Sequence, residues 1–128
     1  MMDFEVHGST DVTGFGLIGH AREMALASGA TLEIQVNSVG FLPGALEYAR
    51  QGAIPGGLKN NREFLACAVE KTREIPSEVE DLLYDPQTSG GLLAAMPERD
   101  AALYESAHPG AYRIGRVTAR QEAPVRLI

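Results

Sequence analysis

The chain has 128 residues and lacks several features that mark whole classes of protein. It contains a single cysteine, Cys67, so no internal disulfide can form, which fits a reducing compartment. No run of 18 apolar residues occurs, and the sequence therefore predicts no membrane-spanning helix. Residues 1–5 lack the basic and apolar regions of a signal peptide, and we expect a cytoplasmic protein.

Positive charge and familiar catalytic motifs are also scarce. The 11 lysines and arginines stand against 17 acids, and the net charge of −6 argues against a nucleic-acid partner. The histidines His7, His20 and His108 are too far apart for metal-ligand spacing, and no Gly-Lys-Ser/Thr phosphate loop is present. Cys67 is interpreted as a buried structural thiol beside an apolar helix face.

What is present is the composition of an ordinary globular domain, with 45% hydrophobic and 22% charged residues. Apolar periodicity predicts strands over residues 4–6, 30–36, 92–96, 112–117 and 124–128. It predicts helices ending at residue 28 and over residues 43–51, 61–72, 77–84 and 97–107. Because these elements do not alternate strictly, we expect an α+β fold, a mixed β-sheet packed by α-helices, in one domain over residues 1–128.

Local capping signals predict where the helices begin and end. Gly29 should end the first helix, and Thr13 or Asp11 should cap its start. A capping box, in which a polar side chain precedes a glutamate by three residues, occurs at Asn60 with Glu63 and at Ser77 with Glu80. The first box predicts the start of the third helix, and the composition of residues 53–60, with Gly56 and Gly57, predicts a turn-rich loop before it.

The segment over residues 11–20, DVTGFGLIGH, joins a carboxylate and a hydroxyl to closely spaced glycines. Asp11 could reach a cation while backbone N–H groups near Gly14 meet phosphate oxygens. Two alternatives stay open. Asp11 and Thr13 could only cap the helix, or Gly14, Gly16 and Gly19 could form the G-x-G-x-x-G pattern of a dinucleotide-binding module.

The segment over residues 85–91, DPQTSGG, has a similar composition and the same ambiguity. Its hydroxyls and glycines could line a phosphate site, or the segment could be an ordinary turn between a helix and a strand. If both segments are only turns of a structural domain, Asp11 and Asp85 should lie far apart and share no cleft.

Taken together, residues 11–20 and 85–93 resemble the two signature segments of the selenophosphate synthetase (selenide, water dikinase) family. Weaker agreement comes from residues 54–57 with Asn60 or Asn61, and from residues 114–117. The resemblance implies the C-terminal domain of a longer two-domain synthetase, with a fold like that of the C-terminal domain of aminoimidazole ribonucleotide synthetase. The N-terminal domain of the family supplies the catalytic cysteine or selenocysteine, a lysine and further metal-binding aspartates.

The resemblance also implies an activity and assigns residues to it. The parent enzyme would convert ATP, selenide and water to selenophosphate, AMP and phosphate with Mg²⁺, as a homodimer, and this fragment alone would be inactive. Asp11 matches a magnesium ligand, and no catalytic residue is expected in this part. The residues expected to face the nucleotide phosphates are Thr13, Gly14, Phe15, Gly16, Thr88, Ser89, Gly90 and Gly91. A related ATP-dependent synthetase of the same superfamily, acting on another substrate, is the alternative.

Overall fold

The computed structural model describes residues 3–128; Met1 and Met2, the first residues of the predicted domain, lie outside the described part. The strands are β1 (Gly8–Asp11), β2 (Ala30–Ile34), β3 (Val69–Lys71), β4 (Leu92–Ala95), β5 (Gly115–Ala119) and β6 (Val125–Leu127). The α-helices are α1 (Gly16–Ser28), α2 (Ala45–Arg50), α3 (Gly56–Leu65), α4 (Ser77–Leu83) and α5 (Glu98–Ala107). Short 3-10 helices cover Val36–Ser38 and Ala66–Ala68.

The strands form two sheets. In the smaller sheet β1 pairs antiparallel with β4, while the larger sheet has the strand order β3-β6-β2-β5. Strand β2 runs parallel to β6 and antiparallel to β5, and β3 runs parallel to β6. Helices and a sheet of mixed direction confirm the predicted α+β fold. In residues 3–128 no helix has the length and apolar character needed to cross a membrane.

Helix α1 packs between the two sheets and carries much of the core. Its buried face includes Leu17, Ile18, Ala21 and Ala25, at the spacing of an amphipathic helix. Facing residues come from β2 and β6, where Leu32, Ile34, Val125 and Leu127 are buried. Each fully buried aliphatic side chain of this size stabilises the fold by about 1.5–3 kcal/mol relative to exposure. The position of α1 is therefore strongly determined.

The other face of the larger sheet carries a row of alternating charges. Glu33 on β2 is 4% exposed and accepts from the Arg116 Nε at 2.7 Å and from Arg126. Arg126 also bonds Glu70 on β3 at 2.7 Å. The strand register places these side chains opposite one another, so one buried carboxylate is neutralised across three strands.

Several predicted elements hold within a few residues, including the end of α1 at Ser28, with Gly29 in the left-handed conformation. The predicted strand over residues 4–6 is wrong, because the first strand is β1. Phe4 instead packs edge-on against Tyr104 of α5, with ring centroids 5.2 Å apart. The Glu5 N–H donates to Asp100 at 2.7 Å. These contacts of residues 4 and 5 fasten the segment to α5 rather than to a sheet.

The capping predictions are wrong at three helices. Neither Thr13 nor Asp11 caps α1, which follows Phe15 without a side-chain cap. Helix α3 begins at Gly56, so most of the predicted loop over residues 53–60 is wrong too, and Pro55 precedes the helix. At α4 the residue before the helix is Pro76, with Ser77 already helical. The third helix also ends at Leu65, before Val69 enters β3, rather than continuing to residue 72.

Candidate functional site

Pairing of β1 with β4 brings the two signature segments together. In the ladder Asp11 lies opposite Leu92, and the contact continues past the strand ends. The Val12 N–H donates to the Gly91 carbonyl at 2.9 Å, and the Gly90 N–H donates to the Val12 carbonyl at 3.1 Å. These hydrogen bonds bring the two segments into direct contact. We call residues 11–20 and 85–91 the paired segments.

Two glycines permit this close contact. Gly16 has a φ of 72°, and a Cβ there would lie 2.9 Å from the Asp85 carbonyl oxygen and from the Tyr84 carbonyl carbon. At Gly90 a Cβ would overlap the Val12 carbonyl oxygen. Both glycines are thus explained by the packing of one segment on the other, without any ligand.

Other glycines of the paired segments face open space. A Cβ at Gly14 or at Gly91 would have no neighbouring atom within 4 Å, and both residues are exposed. The remaining five predicted site residues are also accessible to solvent to some degree. Asp11, Thr88 and Ser89 are exposed, and the Phe15 side chain is 55% exposed. Thr13 is half-buried. The paired segments therefore combine a packed interior with an outer surface that a ligand could approach.

The Thr13 hydroxyl is held by a histidine that the sequence did not connect to it. Its Oγ1 lies 3.0 Å from the Nε2 of His20, one helical turn into α1. The Thr13 carbonyl accepts from the N–H groups of Gly16 and Gln87, each at 3.0 Å. Since its hydroxyl and its carbonyl are both bonded within the paired segments, Thr13 is an organising residue of this surface. The Phe15 ring lies beside His20 at 5.7 Å.

Helix α3 supplies two residues that were missed as parts of the site. The Asn61 side-chain amide donates to the carbonyls of Gly14 and Tyr84, each at 3.0 Å. A Cβ at Gly57 would lie 3.3 Å from the Pro86 ring, so the first turn of α3 approaches the second segment closely. The signal was the weaker resemblance over residues 54–57 with Asn60 or Asn61, and the structure selects Asn61.

The donors on this surface suit one part of a magnesium site rather than a whole one. Within residues 3–128 no group of three or more acidic, histidine or cysteine side chains could hold a metal ion. Asp11 offers an exposed carboxylate, the type of ligand that Mg²⁺ takes together with substrate phosphates. The residues present therefore fit a magnesium ion only as one contributor among others.

Desolvation affects the ionisation of Asp85 and of Tyr84, the residue that precedes the second segment. Burial raises the pKa of the Asp85 carboxyl above its ordinary value. Burial, reinforced by the Glu80 carboxylate and opposed by Arg62, raises the pKa of Tyr84 to about 12. The Tyr84 phenol is therefore neutral at physiological pH, and burial favours the protonated form of Asp85.

Two further expectations are wrong. A dinucleotide-binding module needs a strand, a helix and a second strand parallel to the first in one sheet. Here β1 and β2, which flank α1, belong to different sheets, so Gly14–Gly19 does not form that motif. Cys67, expected to be a buried thiol, is exposed in the 3-10 helix Ala66–Ala68.

The chain is similar in sequence to several curated proteins. The chain is 44% identical over 128 residues to a selenide, water dikinase of Clostridium botulinum (strain Eklund 17B / Type B), covering 97% of this chain and 37% of that protein. It is 45% identical over 128 residues to one of Caldanaerobacter subterraneus subsp. tengcongensis, covering 95% and 37%. With one of Escherichia coli O139:H28 it shares 48% identity over 96 residues, covering 74% and 27%.

The chain thus spans little more than a third of the length of the curated relatives it matches. These relatives are selenide, water dikinases, which confirms the predicted resemblance to selenophosphate synthetase. A family model described as "AIR synthase related protein, C-terminal domain" matches residues 1–128. The chain belongs to this AIR synthase related protein C-terminal domain family.

Proposed function

We propose that the chain is the C-terminal domain of a selenide, water dikinase, an ATP-dependent phosphotransferase that makes selenophosphate, AMP and phosphate from ATP, selenide and water. The relatives that bear this name support the proposal. The observation that carries it is the pairing of β1 with β4 and the hydrogen bonds that extend it. This pairing brings Asp11 and the exposed backbone around Gly14 and Gly91 to the same part of the structure.

The chemistry of such a reaction suits a surface of this kind. ATP carries about four negative charges, and phosphoryl transfer is catalysed mainly by positioning and by neutralising charge. A magnesium ion would supply charge neutralisation, with Asp11 as one ligand and others from the N-terminal domain. Residues 13–16 and 88–91 would line the phosphate site. Gly16 and Gly90 would shape its loops, and the other residues would face the phosphates at the surface.

The same proposal makes residues 1–128 one domain of a two-domain cytoplasmic enzyme. The N-terminal domain would bring the catalytic groups, and closure of the domains would complete the site. The parent would be a homodimer, and the isolated chain would be inactive. A division of carboxylates between two domains is consistent with residues 3–128, in which no group of three or more acidic, histidine or cysteine side chains could hold a metal ion.

The testing experiment uses the intact parent chain. ATP is incubated anaerobically with Mg²⁺, with and without selenide, and the products are separated. The proposal expects AMP and phosphate to form only with selenide. ADP without AMP, or no dependence on selenide in well-folded protein, would remove the selenium assignment and favour a related synthetase. Consumption of ATP with formylglycinamidine-type or thiamine-type substrates would then identify that alternative.

Asp11→Asn in the intact parent tests the metal ligand. The amide removes the negative charge that Mg²⁺ prefers, and we expect magnesium-dependent turnover to fall by 100-fold or more, on the order of the loss of one electrostatic contact. The side chain is exposed, so the melting temperature should stay the same. Glu122→Gln, another exposed acid in the loop between β5 and β6, is the control. Full activity in the Asp11 variant would contradict the assignment.

A further inference from the structure

Asn61 lies where the paired segments meet. Its Nδ2 donates one hydrogen bond to the Gly14 carbonyl and another to the Tyr84 carbonyl, and both distances are 3.0 Å. A primary amide has two N–H donors on one nitrogen, so a single side chain can join two carbonyls. Asn61 comes from α3, 47 residues from Gly14 and 23 from Tyr84 along the chain. It therefore ties together three separate parts of the sequence.

These contacts determine which way the neighbouring peptide groups point. Within residues 3–128 every peptide bond is trans, and a trans peptide directs its C=O and N–H in opposite directions. Because the Gly14 carbonyl points at Asn61, the Phe15 N–H points away from it. Because the Thr13 carbonyl accepts from Gly16 and Gln87, the Gly14 N–H points away from the second segment. Both donors precede α1, whose N-terminal end carries partial positive charge.

The loop that bears these donors is open to solvent. Gly14 is exposed, with no atom within 4 Å of the Cβ position, and the Phe15 side chain is 55% exposed. An exposed loop with few contacts of its own adopts many backbone conformations unless something holds it. The Asn61 bond to the Gly14 carbonyl is one of its few anchors to another element. Loss of that bond would leave the Gly14–Phe15 peptide held only by the turn bond from the Gly16 N–H to the Thr13 carbonyl, which spans it.

We propose that Asn61 is a positioning residue of the phosphoryl-transfer site. It orients the Gly14–Phe15 peptide so that its N–H meets a phosphate oxygen of the nucleotide. This inference rests on the proposed function and extends it to a residue on a different element. Asparagine suits the task because it supplies two donors on a short side chain. Aspartate has the same shape but only acceptors, and its charge would repel both carbonyls.

The sequence offers a matched control in the adjacent residue. Asn60 has the same side chain, is exposed, and lies on the same helix. Asn60→Asp and Asn61→Asp change the net charge equally. A difference between their effects on activity and affinity therefore reports the loss of the two Asn61 hydrogen bonds. Asn61→Ala removes the donors without adding charge, and it decides the question if Asn61→Asp fails to fold.

The experiment uses the intact parent chain and three measurements. Selenide-dependent AMP formation gives kcat and KM for Mg²⁺–ATP, calorimetry gives the affinity for a non-hydrolysable ATP analogue with Mg²⁺, and hydrogen exchange reports residues 13–16. Misplacement of binding groups by about 1 Å can cost up to 100-fold. We expect Asn61→Asp to lower kcat/KM and analogue affinity by about 10- to 100-fold and to speed exchange at residues 13–16, with Asn60→Asp within twofold of wild type.

Two results would overturn the inference. One is an Asn61→Asp or Asn61→Ala protein whose analogue affinity equals that of Asn60→Asp. The other is a lowered melting temperature with unchanged affinity and unchanged exchange at residues 13–16, which would make Asn61 merely structural. Failure of the proposed function looks different: the wild-type parent would form no selenide-dependent AMP. Analogue binding and hydrogen exchange would still measure the effect of Asn61 in that case.

Discussion

Gly16→Ala is the substitution whose effect the structure defines most sharply. Gly16 begins α1 with a φ of 72°, a conformation that L-residues rarely adopt. Its Cβ position lies 2.9 Å from both the Asp85 carbonyl oxygen and the Tyr84 carbonyl carbon. These are backbone atoms, so they cannot rotate away as a flexible side chain could. An added methyl group must therefore push α1 and the second segment apart.

The size of the effect follows from three contributions. Left-handed backbone costs an L-residue about 1–2 kcal/mol, and forcing a methyl group into a packed contact costs about 1–3 kcal/mol. Alanine also reduces the freedom of the unfolded chain, which offsets about 0.4–1 kcal/mol. We expect the free energy of unfolding to fall by about 1–4.6 kcal/mol. For a chain of 128 residues this lowers the melting temperature by roughly 4–18 °C.

Urea unfolding of the chain, followed by circular dichroism, measures this change. Gly14→Ala is the control, because its Cβ would meet no atom within 4 Å and its φ lies outside the positive range. A substitution there should change the free energy of unfolding by no more than about 0.5 kcal/mol. Equal stability of the two variants would refute the close packing of the paired segments at Gly16.

Two other predictions concern buried or desolvated carboxyls. Glu33→Gln should lower the free energy of unfolding by about 2–3 kcal/mol, because it leaves Arg126 and Arg116 without their shared counter-charge. The control is Glu70→Gln at an exposed position, which should lower the free energy of unfolding by no more than about 1 kcal/mol in the same urea titration. Equal stability of the Glu33 and Glu70 variants would contradict the role of Glu33 in neutralising the row of alternating charges. For Asp85, burial raises the folded-state pKa, so its contribution is fully present below the unfolded pKa and is lost as pH rises through the folded value. Asp85→Asn should therefore be more stable than wild type at pH 7 and lose that advantage below about pH 4, in melting curves taken across this range; a pH-independent difference would count against the desolvated carboxyl.

Features that depend on neighbours in the sequence were predictable from it. The end of α1 followed from a glycine that can adopt a left-handed backbone at position 29, and α5 followed from Pro97 and the helical pattern after it. Leu17, Ala21 and Ala25 lie at helical spacing in the sequence, and all three are buried in α1. These outcomes need only the preferences of a few consecutive residues, and tertiary contacts agree with them.

Capping chemistry failed where tertiary contacts were stronger. A cap contributes about 1 kcal/mol, whereas burying Leu58 and Leu65, at 1% and 2% exposure, contributes more. The two leucines lie two helical turns apart, so burying both on one face requires α3 to extend across them. Helix α3 therefore begins at Gly56 despite the capping box at Asn60, and its Asn61 amide bonds the paired segments instead of a helix end.

The sequence by itself determined the α+β class, the family resemblance and the two segments in which site residues should be sought. Only the tertiary structure decided that these two segments pair. It also decided that Gly16 and Gly90 permit the pairing, whereas Gly14 and Gly91 face open space. The contact that joins Gly14 to Tyr84 through the Asn61 side chain is likewise visible only in the folded chain. The physical reason is the range of the interactions. A hydrogen bond from Val12 to Gly91, or from Asn61 to Gly14, leaves no periodic or capping signal near either partner, because the two partners are far apart in the sequence.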